Sequence, residues 1–211
     1  MKLLRYGLPG EEKPGLLDNN GVLRDLSEVV TDIASETLLP VNIDRLRTID
    51  HATLPEVKGN QRLGPCVGQV GNFICIGLNY SDHCKESGMD IPSEPVIFSK
   101  VTSAICGPDD DVIIPRNAIK TDWEVELGVV IGKPARYVDE KSALDHVAGY
   151  CVINDLSERE FQLEREGQWI KGKSCDTFGP IGPWLVTPDE VGDPQNLDLW
   201  LEVDGKRYQD G

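Results

Sequence analysis

Residues 124–131, Glu-Val-Glu-Leu-Gly-Val-Val-Ile, read more strongly as a β-strand than any other part of this chain. They are rich in β-branched residues and free of proline. Side chains two apart in a strand share a face, so Glu124 and Glu126 stand side by side while Val125 and Leu127 face the other way. The continuation through Ile131 has no polar alternate, which predicts a central strand covered on both faces. Residues 73–76, 96–98, 112–114, 149–154 and 197–203 read as further short strands, the first of them buried. Helices are expected over 42–49, 81–87 and 139–146, and after Ser157, which forms a capping-box spacing with Glu160. They are too few and short to be the crossovers of a parallel sheet. The fold class expected is mixed α/β and β-rich.

The first 70 residues are polar and rich in turns. Asp18-Asn19-Asn20-Gly21 between Leu16-Leu17 and Val22-Leu23 signals a hairpin, because Asn-Gly accepts the positive φ of a tight turn. Residues 55–70 carry Pro55, Gly59, Gly64, Pro65 and Gly68 and read as a linker. This predicts a small N-terminal domain and linker over 1–70 and a second domain over 71–211. With 21 basic and 36 acidic residues the net charge is −15, which disfavours nucleic acid and anionic membrane surfaces as partners. No stretch approaches the roughly 20 apolar residues of a membrane span, and the N-terminus has no signal-peptide core. The six cysteines lack C-x-x-C or zinc-finger spacing, and Cys75 and Cys151 read as small core residues. A cytoplasmic location is expected.

Two carboxylates as close as those of Glu124 and Glu126 repel unless a cation or protons neutralise them. A second apolar strand ends in Val152-Ile153-Asn154-Asp155, placing an acid where a buried run gives out. Oxygen donors from Glu124, Glu126 and Asp155, with no paired Cys or His, describe a hard-metal site for Mg²⁺ or Mn²⁺. The competing reading is a solvated face of a half-buried sheet. His83 and Glu86 stand three apart on one helical face, a spacing that suits either a water-activating dyad or an ordinary surface contact. His51 and His146 read as structural. Arg159 and Gln162 repeat the spacing beyond Asp155 and offer a keto-acid carboxylate a cation and an amide. Gly172-Lys173-Ser174 lacks the glycine-rich lead of a phosphate loop.

Taken in order, several segments from residue 73 onward resemble the fumarylacetoacetate hydrolase family. They are Gly77-Leu78-Asn79-Tyr80-Ser81-Asp82-His83, Glu86, Glu94-Pro95, Asp122-Trp123-Glu124-Val125-Glu126-Leu127, Asn154-Asp155, Arg159, Gln162 and Gly172-Lys173-Ser174. Glu12-Lys13-Pro14-Gly15 and Arg24-Asp25-Leu26 are similar to the branch that includes 2,4-diketo-3-deoxy-L-fuconate and -rhamnonate hydrolases, often labelled ureidoglycolate lyases. The resemblance implies rolled β-sheets with flanking helices, usually a homodimer, and Mg²⁺ or Mn²⁺ held by Glu124, Glu126 and Asp155. It further implies that His83 and Glu86 activate water from a lid, that Lys173 is an active-site cation, and that Arg159 and Gln162 lie near a small diketo-acid substrate. The implied reaction cleaves the C–C bond of a 2,4-diketo acid to pyruvate and a shorter hydroxy acid. Metal-dependent oxaloacetate decarboxylation and isomerisation of a dienol diacid compete with it, as does a catalytically silent metal-binding or structural protein. Family members continue past the position of Tyr208-Gln209-Asp210-Gly211 through a Thr-Gly-Thr-Pro-Pro-Gly loop, so the catalytic domain is expected to be incomplete at its C-terminus.

Overall fold

The computed structural model describes every residue except Ser87 and Met89, and gives the backbone alone for Asp82, His83 and Glu86. Three strands open the chain, β1 (Lys2–Tyr6), β2 (Lys13–Leu17) and β3 (Leu23–Asp25). The expected hairpin joins the last two. Gly21 takes φ +75°, the Asp18 carboxylate accepts from the backbone N–H groups of Asn20 and Val22, and Leu17 faces Leu23 across the ladder. Helix α1 (Pro40–Arg47) starts on a proline, whose missing N–H is no loss in a first turn, and buries Ile43 and Leu46. Residues 55–70 have no long regular element, yet they are not a loose linker. Cys66 and Val67 lie in the core, and Leu63 bridges Tyr6.

Strand β4 (Phe73–Gly77), helix α2 (Ser81–Glu86) and strand β5 (Val96–Lys100) follow, the two strands pairing antiparallel with Cys75 opposite Phe98. Then come β6 (Ile105–Cys106), β7 (Thr121–Asp122), β8 (Val125–Ile131), helix α3 (Glu140–Ala143), β9 (Val147–Asn154) and β10 (Ser157–Glu158). Helix α4 (Ile170–Lys173), strand β11 (Gly179–Val186), helix α5 (Pro188–Val191) and the hairpin of β12 (Trp200–Val203) and β13 (Lys206–Asp210) complete the order. The main sheet runs β3-β2-β1-β11-β9-β8, with β6 parallel to β11 and the other pairs antiparallel. Leu3, Leu16, Leu26, Cys66, Cys151 and Leu185 share one core, so the N-terminal strands and the later ones bury the same apolar surface. The fold is mixed α/β and β-rich, as the sequence implies.

Four local expectations are corrected. Strand β8 ends the main sheet among the described residues, and Val129 and Ile131 are exposed because the face of β8 that carries them is not covered. Strand β4 is covered on one face only, leaving Ile74 63% exposed. Residues 112–114 form no ladder; the Ile113 N–H goes to Thr177 Oγ1. Ser157 caps no helix. It sits in β10, donates its hydroxyl to the Asp155 carbonyl, and the turn that follows is a π-helix over Glu160–Glu164.

Candidate functional site

The pairing of β8 with β9 places Val125 opposite Asn154, so the residues just outside the ladder, Glu124 and Asp155, become neighbours. The Asp155 N–H donates to the Glu124 carbonyl at 2.9 Å, and the Glu124 N–H to Asn154 Oδ1 at 3.2 Å. Two further walls deliver lysines. Lys173 ends α4 and donates from Nζ to Glu124 Oε2 and Asp155 Oδ2, 2.7 Å to each. Lys100 ends β5 and reaches Asp155 Oδ1 at 2.6 Å and the Leu156 carbonyl at 3.0 Å. Both lysines are 2% exposed. Gly172 explains how α4 comes so near. A Cβ there would lie 2.3 Å from the Glu158 carbonyl oxygen and 2.6 Å from Gln162 N. The Gly-Lys-Ser sequence thus serves close packing.

Arg159 and Gln162 are brought to the same cluster. The Arg159 guanidinium donates twice to Asp122 Oδ2, pairs with Glu124 Oε1 at 2.6 Å and holds Gln162 Oε1 at 3.1 Å. Its charge is therefore committed to protein carboxylates. Glu158, fully buried, accepts from the Lys120 N–H and the Thr121 hydroxyl, which fixes the β7 segment carrying Asp122. An aromatic wall closes the side toward β5, with Trp169 edge-on to Phe98 at 5.3 Å and Lys173 Nζ 5.2 Å from the Phe98 ring centre. A Cβ at Gly77 would stand 2.9 Å from Trp169. The side chains of His83 and Glu86 lie outside the described residues. Residues missed in the sequence are Lys100, Asp122, Glu158 and Tyr80. Asp122 and Tyr80 lie within segments that carry the family resemblance, without a role of their own, whereas Lys100 and Glu158 left no local signal.

Burial, then repulsion from Glu124 and Asp155, pushes the Glu126 carboxyl up to about 7, although Lys173 and a hydrogen bond from Tyr80 oppose the rise. Burial would raise the Asp155 carboxyl too, but Lys100 and Lys173 hold it below its ordinary value. Burial pulls the Lys100 ammonium down, against the attraction of Asp155. In donor type the cluster fits a hard divalent ion: three carboxylates, one of them under-neutralised. As they stand, no three His, Cys, Asp or Glu side chains among the described residues converge closely enough to hold one. The Lys173 ammonium occupies the point between Glu124 and Asp155.

The carboxylates and lysines gather where antiparallel strands end, beside an aromatic wall, and pair with one another rather than forming a solvated sheet face. The family model described as fumarylacetoacetate (FAA) hydrolase C-terminal matches residues 72–211, and the chain belongs to this family. A curated protein of Burkholderia multivorans, provisionally named a hydrolase, is 66% identical over all 211 residues, which span 75% of that protein. Among solved structures, the fumarylacetoacetate hydrolase of psychrophilic Exiguobacterium antarcticum is 35% identical with a TM-score of 0.81, covering the whole chain and 75% of its own. The 2-hydroxyhepta-2,4-diene-1,7-dioate isomerase of Mycobacterium marinum is 31% identical with a TM-score of 0.71, covering the whole chain and 74% of its own. No helix among the described residues is long and apolar enough to cross a membrane.

Proposed function

We propose that this chain is a Mg²⁺- or Mn²⁺-dependent hydrolase that cleaves the C–C bond of a 2,4-diketo acid, working as a homodimer. The substrate in this reading is a 2,4-diketo-3-deoxy sugar acid, and the products are pyruvate and a shorter hydroxy acid. The observation that carries it is the buried cluster of Glu124, Glu126 and Asp155 with Lys173 among them, in a chain of this family. A divalent ion, when held by the three carboxylates, supplies Lewis-acid polarisation of the keto-acid oxygens. His83, supported by Glu86, takes a proton from the water whose oxygen adds to the C4 carbonyl. The C3–C4 bond then breaks, its electron pair passes to the pyruvate half, and a proton joins that carbon. Lys173 offsets the negative charge as it develops. Arg159 keeps Glu124 and Gln162 in place. With its oxygen committed to Arg159, Gln162 offers its amide N–H groups to a substrate oxygen.

The sugar-acid reading rests on the likeness of the N-terminal segment and on this polar lining, since a site built for hydroxyls rejects analogues that lack them. The M. marinum relative favours a second reading, isomerisation of a dienol diacid, which moves a proton and adds no water. Comparing kcat/KM for 2,4-diketo-3-deoxy-L-rhamnonate, its fuconate epimer, acetylpyruvate and 2-hydroxyhepta-2,4-diene-1,7-dioate in Mn²⁺ tests both. The two sugar acids should lead. Equal or faster acetylpyruvate cleavage would remove the sugar-acid assignment and keep the hydrolase. Turnover of the dienedioate alone would establish the isomerase.

A further inference from the structure

The site's cations are already paired with its carboxylates, and Arg159 is shared with Asp122 as well. Glu124, Glu126 and Asp155 face Lys100, Lys173 and Arg159, and every cation has at least one contact of 2.7 Å or less to a carboxylate of this set. A divalent ion ligated by Glu124 and Asp155 would meet an ammonium already seated on the same oxygens, and two cations in contact repel, so one of the lysines must give way. The two lysines are not equivalent candidates. Lys100 binds the side chain of Asp155 and also the Leu156 carbonyl, so part of its anchorage is independent of any carboxylate. Lys173 Nζ has the two carboxylate oxygens as its hydrogen-bond acceptors and stands 2.7 Å from each. An ion ligated by those same oxygens at about 2.1 Å takes the place of that ammonium. The Phe98 ring beside Lys173 gives the displaced cation an aromatic face.

We propose that Lys173 is the site's resident counter-ion, which a divalent cation displaces, whereas Lys100 is a permanent tether of Asp155. The proposal rests on the metal-dependent reading above and adds a regulation to it. Lys173 is engaged by protein carboxylates until the ion arrives, and only then is its charge turned to substrate. Metal loading and release of the lysine become one event, which keeps a metal-free site from presenting a competent cation.

Mn²⁺ affinity, followed by electron paramagnetic resonance, and melting temperature with and without Mn²⁺ test it in the wild type, Lys173→Met, Lys173→Arg and Lys100→Met. Lys173→Met should bind Mn²⁺ at least about tenfold more tightly, since the ion no longer competes with a contact ammonium. Its metal-free form should melt lower, and Mn²⁺ should raise its melting temperature by more than the wild-type gain. Lys173→Arg, which keeps the charge, should show no tightening. Lys100→Met should lose stability that Mn²⁺ does not restore beyond the wild-type gain. If Lys173→Met fails to fold without metal, refolding in Mn²⁺ should recover it; failure there too overturns the proposal. Equal or weaker binding by folded Lys173→Met also overturns it while leaving the metal-dependent reading intact. No Mn²⁺ binding by any form, wild type included, would defeat that reading and this inference together.

Discussion

Asp155 owes its position to Lys100, a residue 55 places earlier in the chain. A carboxylate 5% exposed needs a partner for each oxygen, and Lys100 and Lys173 take one each. Removing Lys100 leaves Oδ1 buried with no ammonium, and breaking such a pair costs about 3 kcal/mol or more. Lys100→Met should lower the unfolding free energy by that amount, read as a urea midpoint that falls by the same energy divided by an unchanged m-value. A change below about 1 kcal/mol would mean that water replaces the ammonium. Glu124, Glu126 and Asp155 were legible as a group because acids at alternate strand positions and at a strand end break an apolar pattern locally. Lys100 was not, because which strand end faces Asp155 depends on how two sheets meet. Arg159 was legible as a cation near the acids, but its commitment to Asp122 comes from the short β7–β10 pairing, which leaves no periodic signal.

Among the elements, the stretch 55–70 shows what glycine and proline content conceals. It reads as a linker, yet Arg62 donates to both oxygens of Asp110 at 2.6 Å and to Glu12 at 3.0 Å, joining the turn before β2, this segment and the turn after β6. Gly64 is required for that closeness, since a Cβ there would stand 2.6 Å from the Glu12 side chain. The hydrogen bonds from Arg62 hold the Asp110 carboxyl below its ordinary value. A depressed folded-state pKa contributes stability above the unfolded value and loses it as pH falls through the folded one. The stability gap between wild type and Asp110→Asn should therefore be full at neutral pH and close on acidification below about pH 4. A gap independent of pH would show that the carboxylate charge contributes nothing. Most strands were visible from alternation within a few residues. Their neighbours were not: Leu3 meets Leu185 across the whole length of the chain, and β8, apolar enough for a sheet centre, is an edge.

For the molecule as a whole, the open flank of β8 meets a net charge of −15. Val129 is 49% and Ile131 56% exposed on that strand, and Val152 of β9 is 52% exposed. An unpaired edge with apolar side chains attracts at contact, while the negative charge repels at a distance. The two forces have different ranges, so ionic strength decides between them. Near 0.01 M salt the screening length is about 30 Å and the proposed dimers stay apart; near 0.15 M it is about 8 Å and their edges can touch. Light scattering should show the apparent mass rising with NaCl, and Val129→Lys, a charge on the exposed face of the edge, should suppress the rise. A mass independent of salt in both proteins would remove this role from the edge. A strand left open on one side among the described residues thus makes the dispersity of a solution a function of its salt, and dilute buffer the condition in which dimers do not associate further.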